Sequence, residues 1–313
     1  MAQQLRAIKR RIGSVKSTQK ITRAMELIAS SRIVKAQQRV NAARPYAEEM
    51  RRLMASVAKN AGNSDHPLLK QRTDVKTVGM IVITADRGLA GAYNSNVIRA
   101  AERDMRNHPE TKLLLVGKKA GSYFKFRGYD TSTSWNGFSD QPGIDHAREV
   151  AKAAAEVFST GQVDELRLAF TRYTSPASQH PVVLNLLPAP RKEGNPNSAL
   201  GGAIGNPNSA LGGAIESDDA TGTKAGYIFE PDPEDILSFL LPRYLEGAVY
   251  QGLLEAAASE HAARRRAMKA ATDNADELIE GLTRVYNQAR QAEITTEIME
   301  VVGGAEALRS ASR

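Results

Sequence analysis

The stretch with the best claim to chemistry is Asp86-Arg87-Gly88-Leu89-Ala90-Gly91-Ala92-Tyr93-Asn94, directly after the apolar run Val78–Thr84. Phosphate and dinucleotide loops sit at this place, between the end of a strand and the start of a helix, where backbone amides can face an anion. The spacing is not GxGxxG, and it is not GxxxxGK[ST], because no Lys-Ser/Thr follows the second glycine. Nor does a convincing acidic residue stand roughly 20 positions further on. Asp86 and Arg87 are therefore expected to anchor the turn or a partner contact, with a nucleotide-binding loop as the alternative.

Other chemistry is thinly represented. There is no cysteine, which excludes disulfides and thiolate metal sites. The five histidines (His66, His108, His146, His180, His261) are scattered without HxH or HExxH spacing, so no metal centre is expected. GxSxG is absent, and Asp218-Asp219 lies in a Gly/Asn-rich stretch, a poor support for a rigid site. The expectation is no catalytic residue and no cofactor.

The elements around the loop explain why so long a chain needs so little chemistry. From Leu5 to Val57 a 3–4–3–4 series runs Leu5, Ile8, Ile12, Val15, Gln19, Thr22, Glu26, Ala29, Ile33, Ala36, Val40, Ala43, Ala47, Met50, Met54, Val57. That is a coiled-coil seam sustained over many heptads, interrupted by Gln19, Thr22 and Glu26. Pro45 removes an amide donor and predicts a kink or break over 41–45. A second series runs Tyr250, Leu254, Ala257, His261, Arg264, Met268, Ala271, Ala275, Leu278, Leu282, Val285, Ala289, Ala292, Thr296, Met299. About 60 helical residues span roughly 90 Å, too long to be covered by one globular domain of this size. The matching first helix is the natural cover, and an antiparallel pair is the simplest arrangement. Beyond it, Ile294, Ile298, Val301, Val302, Gly303, Gly304, Ala305 and Leu308 are apolar or small on more than one face. Such a tip predicts an apolar socket in another protein.

Between the helices the period changes. Strands are expected at Val78–Thr84, Lys112–Gly117, Asp130–Gly137, Glu165–Tyr173 and Val182–Leu187, with helices at Ser95–Met105, Lys118–Phe126 and Ile144–Phe158. This alternation predicts a mostly parallel sheet with helices on its faces. The fold class expected is α/β with long terminal helices: an antiparallel coiled coil plus a central Rossmann-like domain. The segments are an N-terminal helix over 1–60, the α/β domain over 75–190, an insertion over 191–226 and a C-terminal helix over 227–313. The insertion contains GNPNSALGGAI twice in tandem, at 194–204 and 205–215, and is expected to be a flexible surface loop.

Charge is uneven. Residues 1–52 hold 13 Lys/Arg and 3 Asp/Glu, a net of +10, against +7 for the whole chain. A solvated face, a nucleic-acid surface and a complement to an acidic partner all remain open, although base-stacking aromatics are missing there apart from Tyr46. No apolar run approaches the roughly 18–20 residues of a membrane span, and no secretory signal is recognisable.

Three blocks then resemble the gamma subunits of F-type ATP synthases. They are Thr18-Gln19-Lys20 with the run Ile21–Ser31 (ITRAMELIASS), the loop Asp86–Asn94, and the run Glu260–Leu308 with AMKAATDNA, NQARQAEITTEI and VVGGAEAL; EPDP at 230–233 also fits. The likeness covers the chain apart from about 191–226. It implies a non-catalytic rotor stalk whose coiled coil enters an alpha3–beta3 head, with the α/β domain near the epsilon subunit and the c-ring. It further implies that Arg290, Gln291 and Thr295 meet beta-subunit catch loops. Arg23, Met25 and Glu26 would make torque contacts, and Val301, Val302 and Leu308 would turn in an apolar bearing. The basic helix then becomes a partner complement, with no nucleic acid, and the location is peripheral, on the cytoplasmic side of the plasma membrane in a bacterium. Alanine at position 90, where the family often has cysteine, and the duplicated insertion depart from the pattern.

Overall fold

The computed structural model describes residues 2–60, 75–188 and 233–311. The expected insertion over 191–226 lies outside them. Two long helices bracket an α/β domain: α1 (Ala2–Asn60) and α5 (Pro233–Ala311). The domain runs β1 (Thr77–Ile83), α2 (Tyr93–Met105), β2 (Glu110–Val116), α3 (Lys118–Phe126), β3 (Ser134–Trp135), α4 (Ile144–Ser159), β4 (Glu165–Tyr173) and β5 (Gln179–Leu187). The five strands stand in the order β3-β2-β1-β4-β5. All neighbours are parallel except β4 and β5. β1 is buried along almost its whole length, which is why its sequence is continuously apolar rather than alternating.

The chain divides into two compact units, one made of 1–29 with 264–313 and the other of 30–263. In the larger unit one face of the sheet carries α4 and α5, in a core with Ile83, Leu168, Phe158 and Leu245. The other carries α2 and α3, with Met80, Val97 and Phe124. Residues 251–260 of α5 are buried on every side. The helix lies so close to the sheet that a side chain at Gly252 would stand 2.8 Å from Leu168 Cδ2. Its other flank takes Ile33, Ala36 and Val40 of α1 against Leu254, Ala258 and Ala262. Alanines and Gly252 here allow close approach on two sides at once, a local reason for the low aromatic content.

The smaller unit pairs the start of α1 with the later part of α5. The Thr22 and Thr272 hydroxyls stand 2.7 Å apart in a buried contact. One turn earlier in α1, Gln19 Nε2 donates to Asp276 Oδ1, one turn later in α5. The two contacts advance in opposite directions along the chain, so the helices are antiparallel. From Leu5 to Met50 every seam position expected on α1 is buried or half-buried.

Two expectations change. Pro45 neither ends nor interrupts the helix assignment of α1. It is exposed while Ala47 and Met50 just beyond it are buried, so packing after the proline sustains the helix across one missing amide. In α5 the seam agrees with the expected positions as far as Ala275; beyond it Leu282 and Ala289 are still half-buried as expected, but the positions between these move by one residue. Leu278 and Val285 are 54% and 49% exposed, whereas Ile279 and Tyr286 are half-buried. Apolar residues occupy both members of each pair, and the position of the first helix selects between them.

Candidate functional site

In open α/β sheets the ligand crevice lies at the carboxyl ends of the strands, where the strand order reverses. Here that point is between β1 and β4. The loop 84–92 leaves β1 there, so the sequence places its best chemical candidate where the fold would use it. The chain, however, fills the position with its own atoms.

Asp86 is turned inward. Its Oδ1 accepts from the Lys118 amide at 3.1 Å, and its Oδ2 accepts from the Gly137 and Ser139 amides at 2.8 and 3.1 Å. The next two amides of α3 are also taken: Lys119 N donates to Ala85 O at 3.1 Å and Ala120 N to Thr84 Oγ1 at 2.9 Å. A helix start that could hold a phosphate thus already holds a carboxylate. Asn94 closes the loop from the other side by accepting from Ala85 N at 2.9 Å. Asp86 is the expected turn anchor. Arg87 is exposed beside it, and Leu89 stands at φ +61 with 62% of its surface exposed.

α5 covers the remainder of the crevice. Tyr93 Oη donates to Ala256 O at 3.2 Å, and Ser259 Oγ donates to Thr171 O at 3.1 Å. Glu255, only 2% exposed, accepts from Tyr173 N at 3.2 Å and from Gln251 Nε2 at 2.9 Å. Burial pushes its carboxyl up to about 6, against the pull of these hydrogen bonds and of the Arg172 and Arg44 charges. Since the folded chain holds this proton when the unfolded chain has lost it, the group costs stability as pH rises. Between about 4.5 and about 6 it removes about 2 kcal/mol, and it changes nothing further above that window. Glu255→Gln removes this contribution, so its stability relative to the parent should improve by about that amount from pH 4.5 to pH 7. Urea unfolding at both values checks it, and a pH-independent difference would assign the carboxyl an ordinary titration.

The residues that the sequence singled out for partner contacts lie on the smaller unit. Arg6, Lys9, Arg10, Arg11, Lys16, Lys20 and Arg23 are all exposed along α1. Ile21, Leu27 and Ile28 beside them are 60%, 67% and 55% exposed. Met25 and Glu26 are half-buried at the seam. On α5, Arg290, Gln291 and Thr295 are exposed, and the Thr295 hydroxyl donates to Gln291 O at 2.9 Å. Ile298, Met299, Val301 and Val302 follow at 56–72% exposed. Leu308 lies within α5, but its side chain is outside the described residues.

The structure does not gather these residues into one cluster. The Thr22–Thr272 contact sets Arg23, Met25 and Glu26 level with about residue 270. Arg290 is some 20 residues, or about 30 Å, further along the helix, and Val301 roughly 17 Å beyond that. They form successive levels along the smaller unit, with Val301 beyond the start of α1. The polar seam residues Gln19 and Thr22, which interrupt the apolar pattern, pair with Asp276 and Thr272 and so specify register. Sequence reasoning missed Ile21, Leu27, Ile28, Leu278 and Val285 as surface residues. The available signal was apolar residues lying off the seam on α1, and adjacent apolar pairs on α5.

Comparison with known proteins matches residues 4–308 to the family described as ATP synthase. The "ATP synthase gamma chain" of Parafrankia sp. is 46% identical over 318 aligned positions, covering 99% of both chains. That of Acidothermus cellulolyticus is 45% identical, covering 98% of each. That of Mycolicibacterium smegmatis is 45% identical, covering 98% of this chain and 99% of its own. Among solved structures, a chain of the rotor of the Euglena gracilis mitochondrial ATP synthase superposes with a TM-score of 0.62 at 21% identity, covering 94% of this chain and all of that one. A chain of the Tetrahymena thermophila central stalk and c-ring gives 0.58 at 23%, covering 80% and 99%. These two speak to the fold alone.

Proposed function

The chain belongs to the ATP synthase gamma-chain family, the central stalk of the rotary enzyme, and from that premise we propose how its surfaces work. The smaller unit is the torque-bearing end, turning inside a head of alpha and beta subunits. The α/β domain is the foot that meets the epsilon subunit and the c-ring. Ion flow through the ring turns the stalk, and ATP forms on the head, so this subunit contributes no catalytic residue and binds no cofactor.

The observation that carries this reading is the exposed apolar end of α5. Ile294, Ile298, Met299, Val301 and Val302 are 43–72% exposed, a run of surface that a partner would have to cover. Arg290, Gln291 and Thr295 lie just before it and would meet beta-subunit loops as the stalk turns. Arg23, Met25 and Glu26 form a lower contact level, Val301, Val302 and Leu308 the bearing. The basic residues of α1 complement an acidic sleeve, and their long-range field assists assembly without fixing one orientation. The filled crevice at Asp86 and Glu255 weighs against the alternative of a nucleotide-binding protein with helical arms. No described helix is long and apolar enough to cross a membrane. The subunit is peripheral, attached through the ring on the cytoplasmic side of a bacterial membrane.

Reconstitution with alpha and beta subunits tests the reading. A complex should form whose ATP hydrolysis rotates a tag placed on the α/β domain. Hydrolysis with a stationary tag, or failure of the three subunits to associate, would overturn it.

A further inference from the structure

A cavity of about 130 Å³ opens within the larger unit, lined by Arg32, Lys35 and Arg39 of α1, the segment 140–142, and Leu254 and His261 of α5. Its floor is apolar, with Leu254 and Ala257 almost fully buried. Its rim is strongly positive. From 27 to 47 the chain contains Arg32, Lys35, Arg39 and Arg44 and no acidic residue. The single carboxylate at the cavity, Asp140, is already neutralised: its Oδ2 accepts from Arg32 NH1 at 2.7 Å. The backbone carbonyl of the same residue lies 3.2 Å from His261 Nε2, which ties the loop to α5. Lys35 and Arg39 have no counter-ion among the described residues, although both line the cavity.

We propose that this cavity binds a small oxyanion of the inorganic phosphate class, held by Lys35 and Arg39 with Arg32 at its edge. The volume is below the roughly 300 Å³ at which pockets begin to take drug-sized molecules, which limits the occupant to a few heavy atoms. A guanidinium fork and an ammonium together suit a compact tetrahedral anion, and the apolar floor strengthens their field by excluding water on one side. Asp140 keeps the third cation engaged, so a single anion suffices to balance the remaining two charges. Bound there, it would bridge α1 to the 140–142 loop. The proposal concerns the larger unit alone and is independent of the rotor reading.

Calorimetric titration of the full chain with phosphate, at constant ionic strength set by chloride, is the test. One saturable site is expected, with Kd of about 1 mM or tighter. Phosphate should also raise the melting temperature of the full chain by mass action. Lys35→Gln with Arg39→Gln should weaken binding at least tenfold and abolish the thermal shift. The charge-matched control Lys9→Gln with Arg10→Gln should leave both unchanged. Equal weakening in the control pair, or no saturation by 20-fold excess over that Kd (~20 mM), would overturn the site.

Discussion

Gly117→Ala is expected to destabilise the chain by about 3–5 kcal/mol, enough to unfold much of the α/β domain at ordinary temperature. Gly117 joins β2 to α3 at φ +94, where an L side chain is strained by itself. Steric overlap costs more than that strain. An alanine Cβ would stand 2.2 Å from Thr84 O and 2.7 Å from Thr84 C. Neither backbone can yield. Thr84 N donates to Val116 O at 2.8 Å, and Gly117 N donates to Trp135 O at 2.8 Å, so the neighbourhood is clamped from β1 and β3 together. Gly128 supplies the control, with φ +81 and nothing within 4 Å of its added Cβ. Gly128→Ala should cost only about 1 kcal/mol, the conformational part. Equal urea midpoints for the two variants would show that the crowding at Thr84 is relieved by movement.

The second large effect is on coupling rather than folding. Arg290→Ala with Gln291→Ala should leave the free chain within about 0.5 kcal/mol of the parent. Both side chains are exposed, and alanine is at least as good a helix former. The carbonyl that accepts from the Thr295 hydroxyl is backbone and survives the change. In the assembled enzyme the same substitutions should lower rotation-coupled ATP hydrolysis at least tenfold. Truncating one partner of a hydrogen-bonded charge pair that becomes buried at an interface typically costs about 2–5 kcal/mol. A matched change at Arg284 and Glu280, an exposed pair 3.7 Å apart on the same helix, provides the comparison. Unchanged coupling in the double variant, measured beside that control, would remove both residues from the proposed beta-subunit contacts.

Much of the fold is legible because it is periodic. The seam of α1 could be numbered from residue types, and its burial follows that numbering from Leu5 to Met50. The strands were legible as apolar runs, and β3, only two residues long, was expected too long because its polar run carries no burial signal of its own. Pro45 and the shifted seam after Ala275 show the limit. A proline states a local cost, and packing on either side decides whether the helix bears it. Leu278-Ile279 and Val285-Tyr286 are apolar pairs in which either member could face a partner. A 3.5-residue count and a 3.6-residue helix drift apart over this length.

What the sequence determined alone was where apolar and charged surface is concentrated: two apolar stripes, a basic first helix and an apolar end. Residue type suffices there, because burial of apolar groups and solvation of charged ones depend on local chemistry and spacing. The tertiary structure decided the fate of the candidate loop. Asp86 was expected to anchor the turn or a partner contact, and the choice fell to the turn because amides 32, 51 and 53 residues away converge on its carboxylate. It also decided that Glu255 would be buried beneath Tyr173, and that the residues expected to meet partners occupy separate levels along the smaller unit. Each outcome depends on polar groups brought together from distant segments, and hydrogen bonds between them are settled by distances in space that no local pattern encodes.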